Sequence, residues 1–300
     1  MKKDNKIVCN LCNCTDDAIV YEGPIRDGTA GNYTKNNYKV VKCKSCKLVR
    51  LSENPNNDDF YKTNEYRENY NETFLADDYL KMHDKEQSPK LEKIGIDYFR
   101  DKIVLDYGCG GGSFLDLIQG VSKETVGIEP FIGYHDHLAS NNHKIFSSVN
   151  EAIKEYKGKI DTIISTGVIE HVDNPYDYLS TAYDLLKKKG RMYLETDNVN
   201  DILFRLNTPY LNKFFYRTVH LWYFEASTIK KMSEKAGFSD IEISHRHNFD
   251  LSNLIVWLKE QIPSGVGKLD FFDDRINIAW RSFLEETGSS DLVCIKMKKE

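Results

Sequence analysis

One stretch restricts the fold more tightly than any other: Ile103-Val104-Leu105-Asp106-Tyr107-Gly108-Cys109-Gly110-Gly111-Gly112-Ser113-Phe114. Three apolar residues lead through an acid to a glycine cluster, and then to the apolar-periodic Phe114, Leu115, Leu117 and Ile118. That order predicts a buried parallel strand, a tight turn and the first turn of a helix. Glycines permit positive φ and let a ligand approach bare amides at a helix N-terminus. Asp106 falls at the strand's carboxyl end, the edge where open α/β sheets bind ligands. The pattern implies a nucleotide-like ligand.

Composition narrows the class. The 300 residues are 40% hydrophobic and 29% charged, ordinary for a globular chain of one large domain or a medium domain with an appendage. A net charge of -5 argues against a general binder of nucleic acid or anionic membrane. No apolar run approaches the ~20 residues of a membrane span. Residues 1–6 lack the hydrophobic region of a signal peptide, so the expected compartment is the cytoplasm.

Thiols in a reducing compartment rarely pair as disulfides. Five of the seven cysteines lie in the first 46 residues, four of them as Cys9-Asn10-Leu11-Cys12 and Cys43-Lys44-Ser45-Cys46. Two tight knuckles with four thiolates match a tetrahedral structural zinc site, with Cys9, Cys12, Cys43 and Cys46 as ligands. A redox C-x-x-C is expected beside a βαβ unit, and none adjoins these. Cys14 is a spare thiol or a substitute for Cys12. Residues 1–52 are therefore read as a zinc-ribbon-like lobe.

Residues 53–100 read as a Tyr-rich linker followed by helices. The linker runs through Asn54-Pro55-Asn56-Asn57 to Tyr61, Tyr66 and Tyr70, whose rings suit a ligand mouth or packing between lobes. Residues 74–100 are helical in pattern, divided at Pro89 and Gly95. Strands are then predicted at 102–105, 125–128, 144–146, 161–165 and 191–195. Helices at 113–119, 134–140, 150–156 and 175–187 alternate with them. Such alternation means a doubly wound, mostly parallel α/β sheet. Beyond it come a loop and helix over 201–216, a helix at 226–236, a strand at 241–246, a helical insertion at about 250–288 and a last strand at 292–298. That last strand pairs antiparallel at an edge or inserts near it, completing a core over 101–300.

From the glycines alone, a dinucleotide fold competes with other nucleotide-like ligands. Gly108 to Ser113 gives G-x-G-x-x-S, and Glu129 ends the second strand where an acid accepts ribose hydroxyls. Four segments in order go further. Val104 to Gly112 resembles motif I of the class I S-adenosylmethionine-dependent methyltransferases, V-L-D-x-G-C-G-x-G. Val126-Gly127-Ile128-Glu129-Pro130 resembles the next motif. Asp161 with Ser165 to Val172 resembles D-x-I-x-x-x-x-V-L-E-H-V, and Leu185 to Glu195 is similar to L-L-K-P-G-G-x-L-x-x-E. The resemblance spans about residues 100–245 and implies a seven-stranded Rossmann-like sheet with an antiparallel last strand. It implies S-adenosylmethionine held by Asp106, Gly108, Cys109, Gly110, Gly112, Glu129, Pro130, Ser147, Ser148 and Thr166.

With the cysteine lobe and Tyr-rich linker, the chain resembles zinc-knuckle methyltransferases of bacterial deoxysugars and polysaccharides. That resemblance implies methyl transfer to a hydroxyl of a sugar, nucleotide-linked or in a glycan. C-methylating deoxysugar members usually carry a further C-terminal domain after the last core strand, where this sequence ends. The family's E-x-P-N is here Glu195-Thr196-Asp197-Asn198. The alternatives are sugar C-methylation, an RNA methyltransferase gripping nucleic acid with Lys35, Lys39, Lys42, Lys44 and Lys47, and a non-catalytic binding subunit.

Methyl transfer is an in-line displacement in which alignment supplies roughly 7–11 kcal/mol. A hydroxyl nucleophile needs a base within hydrogen-bond reach. His171 is the first candidate, with Glu170 as its partner in the acid/base pair that the resemblance implies. His220 is the second, because His220 to Phe224 resembles the family's H-x-x-x-F loop. His135, His137 and His143 are read as solvated. Asn174-Pro175-Tyr176 is read as a helix start rather than the N-P-P-Y tetrad of base-amine methyltransferases.

Overall fold

The computed structural model describes residues 9–55, 60–206, 210–262, 265, 267 and 269–300. Asn56, Asn57, residues 1–6 and part of the predicted loop and helix over 201–216 lie outside them. The strands are β1 (Asp17–Gly23), β2 (Tyr38–Cys43), β3 (Val49–Leu51), β4 (Ile103–Tyr107), β5 (Glu124–Ile128), β6 (Lys144–Phe146), β7 (Ile160–Thr166), β8 (Leu186–Asp197), β9 (Trp222–Tyr223), β10 (Ser239–Arg246) and β11 (Leu292–Lys298).

Seven strands form one sheet in the order β10-β11-β8-β7-β4-β5-β6. The pairs β5/β6, β4/β5, β4/β7 and β7/β8 are parallel, while β11 is antiparallel to both neighbours. The last strand therefore inserts between β8 and β10. Val104, Leu105, Ile163 and Ile164 at the sheet centre are buried, as parallel strands covered on both faces must be. One face carries Ala152, Leu179, Leu185, Ile229 and Met232. The other carries Ile94, Phe99, Phe114 and Ile118. Among the described residues no helix is long and apolar enough to cross a membrane.

The order of β4 and β7 fixes the site. Their carboxyl ends lie side by side, with the chain leaving β4 toward the β5 side and β7 toward the β8 side, so a crevice opens between them.

The cysteine-bearing segment builds a second sheet, β1-β2-β3-β9. Its fourth strand comes from the distant Trp222–Tyr223, with Val49 opposite Tyr223 and Arg50 opposite Trp222. Cys9, Val40 and Leu48 share one apolar cluster with Leu221, Trp222 and Leu194. Arg50, only 2% exposed, makes a two-pronged ion pair with Asp17 at 3.1 and 2.7 Å.

Two local expectations change. The helical run breaks at Asp84–Glu86, between helices Ala76–His83 and Gln87–Ile94, and not at Pro89. Pro89 sits in a first turn, where no intrahelical N–H is needed. His143, expected in solvent, is buried between Thr125 at 2.7 Å and Asp116 at 2.8 Å. Asn174 does cap helix Pro175–Leu185, accepting from the amides of Tyr176 and Asp177.

Candidate active site

The glycine turn is drawn onto the end of β5. The amides of Gly108 and Cys109 both donate to the carbonyl of Ile128, at 2.9 and 3.2 Å. Gly110 has φ 54°, and its amide donates to Glu129 Oε2 at 3.0 Å. Glu129 Oε1 accepts from the amide of Phe131 at 2.8 Å and faces Arg67 Nη2 at 3.4 Å. Burial raises the Glu129 carboxyl, against the pull of those amides and of Arg67. The Arg67 guanidinium lies 3.5 Å from the centroid of the Phe131 ring.

A cavity of about 600 Å³ opens over this turn. Asp106, Gly108, Cys109, Gly110, Glu129, Pro130, Thr166 and His171 all line it. Gly112 stands behind the lining, where a Cβ would fall 2.3 Å from Leu138 Cδ2. Ser147 and Ser148 are not brought to the cavity wall. Ser147 is bonded to Glu151 at 3.0 Å, and Ser148 precedes helix Val149–Tyr156. Burial pushes Asp106 up to about 7, against the attraction of Lys90 and with the repulsion of Glu129.

Helix Ala76–His83 lays Tyr79 across the glycines. A Cβ on Gly110 would stand 2.2 Å from the Tyr79 hydroxyl oxygen, and one on Gly111 2.6 Å from Tyr79 Cδ1. Ser113 donates to Asp84 at 2.5 Å, tying the start of the next helix to the same cover.

The end of β7 builds the other wall. Gly167, at φ 68°, donates its amide to the backbone carbonyl of Glu195 at 2.9 Å, and the chain turns back through Glu170 and His171. The amide of Leu221 donates to the Glu170 carbonyl at 2.8 Å. Trp222 Nε1 donates to the Val172 carbonyl at 2.7 Å. These bonds place His220 edge-on to His171, with ring centroids 4.5 Å apart.

His171 Nδ1 lies 2.8 Å from the Val219 carbonyl and 2.9 Å from the Tyr61 hydroxyl. A carbonyl oxygen only accepts, so Nδ1 carries the proton and Nε2 carries the lone pair. Burial pushes the His171 imidazole down to about 4, against the favourable Val219 carbonyl. Glu170, 2% exposed, accepts from Thr196 Oγ1 at 2.8 Å. Burial and the Asp197 charge push it up to about 8. Burial opposes ionisation of Asp197 too, yet Arg217 and His220 hold it well below the usual carboxylate range. Arg217 Nη2 is 2.7 Å away. His220 is buried, and burial together with Arg217 and His171 depresses its imidazole well below its ordinary value. Of the three acid/base candidates His171 lines the cavity; Glu170 and His220 stand behind it.

A methyltransferase-domain family model matches residues 66–243, from the covering segment through β10. The chain belongs to the class I S-adenosylmethionine-dependent methyltransferases. The methyltransferase is 26% identical over 155 residues to a ubiquinone biosynthesis O-methyltransferase of Dinoroseobacter shibae, a match covering 48% of this chain and 62% of that relative. It therefore spans less than two thirds of that relative's length. It is 30% identical over 207 residues to a tRNA U34 carboxymethyltransferase of Helicobacter pylori, covering 64% of this chain and 71% of the relative. In fold it resembles a SAM-dependent methyltransferase from Archaeoglobus fulgidus, with a TM-score of 0.51, 18% identity and coverage of 78% of this chain and 98% of that one. It also resembles the Haemonchus contortus phosphoethanolamine N-methyltransferase 2 solved with S-adenosylmethionine, with a TM-score of 0.52, 14% identity and coverage of 93% and 71%.

The methyltransferase's residues fit its cofactor. The amides of Gly108, Cys109 and Gly110 are taken up inside the turn and not left bare. The glycines instead admit close cover, since a Cβ would fall 2.5 Å from Val168 at Gly108 and 2.2 Å from Tyr79 at Gly110, and Glu129 lines the cavity at the end of β5. Arg67, Tyr79, Thr196 and Arg217 were not legible as site residues. Arg67 and Tyr79 lie on a cover with no motif of its own. Thr196 and Asp197 fall where the sequence departs from the family's E-x-P-N, and that departure was the one available signal.

In the lobe, the thiols of Cys9, Cys12, Cys43 and Cys46 converge, with all four sulfurs within 4.8 Å of one another. Two pairs, Cys9 with Cys46 and Cys12 with Cys43, stand at 3.5 Å. Cys14 is apart, its sulfur accepting from the amide of Asp16.

Proposed function

We propose that the methyltransferase transfers its methyl group to a hydroxyl oxygen of a small cyclic acceptor. The carrying observation is His171. It stands on the cavity wall with Nδ1–H committed to Val219 and Tyr61, so its unprotonated Nε2 is the nitrogen left to receive a hydroxyl proton. The bound cofactor supplies an electrophilic methyl on a sulfonium centre. The chain's part is to hold it in the glycine cradle, orient the acceptor and accept the proton at Nε2. Glu170 and His220 fix His171 from behind.

For the acceptor we favour a sugar hydroxyl. Tyr61 and Tyr66 line the cavity and Tyr70 stacks on Tyr66 with centroids 5.1 Å apart, a wall of flat apolar faces with polar tips. Asn54 and Asp173, bonded at 2.8 Å, add polar groups at the same wall. A phenolic hydroxyl is the second reading, favoured by similarity to the ubiquinone-pathway enzyme. The four thiolates of the lobe suit a structural zinc. A Zn–S bond of about 2.3 Å places tetrahedral sulfurs about 3.8 Å apart, close to the 3.5 Å pairs seen here.

The test offers nucleotide sugars, free phenols and short RNA with a carbon-13-labelled methyl donor. Nuclear magnetic resonance of the product assigns the methyl to oxygen, carbon or nitrogen. An oxygen-bound methyl on a sugar supports the preferred reading. A methylated RNA base or a C-methylated sugar overturns it.

A further inference from the structure

We propose that Glu170, His171 and His220 bind one divalent transition-metal cation at the inner wall of the cavity. Their ligand atoms lie within 4.8 Å of one another. Ligands around one ion at about 2.1 Å sit roughly 3–4 Å apart, so closure needs shifts below about 1 Å. Two imidazoles and one carboxylate suit a borderline divalent ion with open coordination positions.

Two details point to a ligand rather than to packing. A metal-binding histidine usually donates its other N–H to a carbonyl or carboxylate, which orients the ring. His171 already does so, from Nδ1 to the Val219 carbonyl at 2.8 Å. His220 is 4% exposed, and its buried Nδ1 has no hydrogen-bond partner. The Asp197 carboxylate faces that nitrogen, with Oδ2 at 3.1 Å. A buried polar atom without a hydrogen-bond partner is costly, and a cation at this cluster would offset that cost. Thr196, bonded to Glu170 at 2.8 Å, fixes the carboxylate from outside. Of the three, only His171 reaches the cavity wall, so it is the ligand that would connect the ion to the acceptor space.

The inference rests on the oxygen-acceptor reading and moves the acidifying role from the imidazole to the ion. A hydroxyl bound to a divalent cation loses its proton to solvent more readily. The oxygen then takes the methyl carbon while the carbon–sulfur electron pair returns to sulfur.

The probe is Mn²⁺ alone, titrated into the full chain with the cysteine lobe kept loaded with zinc. Mn²⁺ competes poorly for thiolates, so loss of its free electron paramagnetic resonance signal reports the nitrogen–oxygen site. One Mn²⁺ per chain is expected, with Glu170→Gln and His220→Ala each weakening it by about tenfold or more. Glu170→Gln is nearly isosteric and guards against a folding defect in the histidine variant. Mn²⁺ should also accelerate methyl transfer to oxygen. Absence of stoichiometric binding, or binding indifferent to both substitutions, overturns the metal site. If the metal site fails while His171 variants still lose turnover, the oxygen-acceptor reading stands. If Mn²⁺ binds as expected and the methyl goes to carbon or nitrogen, the reading of the acceptor fails instead.

Discussion

The backbone amide of Leu51, in the cysteine-bearing lobe, donates to the carbonyl of Leu221 at 3.0 Å, one residue beyond His220. A second bond reinforces it, from Thr218 Oγ1 to Asp27 at 2.8 Å. The lobe is thus part of the scaffold that sets His220 against His171. Cys43 ends β2 and Cys46 precedes β3, so the knuckle that orders the thiols also orders the strand paired to β9.

Loss of the zinc proposed for the lobe should therefore reach the active site. Cys46→Ser, or removal of the ion, is expected to lower the thermal midpoint and cut turnover by roughly 100-fold through misplacement of His220. Donor affinity, set at the far wall by the glycine turn, should hold. Metal analysis, a melting curve and isothermal titration with S-adenosylmethionine check the three parts. Equal losses in turnover and donor affinity would contradict the account.

Gly110 carries two demands at once, a φ of 54° and Tyr79 packed where a Cβ would go. Gly110→Ala is expected to weaken donor binding by about tenfold or more, from left-handed strain of roughly 1–2 kcal/mol plus the clash. In that background Tyr79→Ala should recover part of the affinity. Strictly additive losses in a double-mutant cycle would rule out the contact as the cause.

Asp106 gives a pH signature. Burial first of all pushes its carboxyl up to about 7 in the folded chain, from an ordinary 3.8. A raised carboxyl pKa means the unfolded state binds fewer protons between those values, so its stabilising contribution is complete below 3.8 and lost as pH rises toward 7. Asp106→Asn should therefore stabilise the donor-free protein increasingly from pH 4 to 8, by up to about 4 kcal/mol. A cationic donor favours the ionised acid, so wild-type donor affinity should rise from pH 6 to 8 and level off. The asparagine variant should bind more weakly with no such rise. Denaturant unfolding and calorimetry at the two ends of the range check both. A flat wild-type affinity would contradict the placement of Asp106 beside the donor.

Much of this site was legible because it is local in sequence. The run from Val104 to Gly112 carries its strand, turn and helix start in consecutive residues, and Glu129 follows at the end of the next strand. Glu170 and His171 were also legible, since the end of β7 places them by topology. What meets them was less so. Arg217 and Asp197 are 20 residues apart, and β3 finds β9 across more than 170 residues, with no periodicity to announce either pairing. The break at Asp84–Glu86 was hidden because Pro89 looks like a breaker but is harmless in a first turn. His143 was read as solvated, and its burial depends on Asp116 from a helix more than 20 residues earlier.

On the proposed reading, His171 serves the chemistry at the acceptor and not the seat of the donor. His171→Asn tests it most directly, because the asparagine amide can still donate to the Val219 carbonyl while Nε2 is lost. With an acceptor from the hydroxyl screen, turnover should fall by about 10²–10⁴-fold while S-adenosylmethionine affinity stays at the wild-type value. Turnover within a few fold of wild type would contradict the claim.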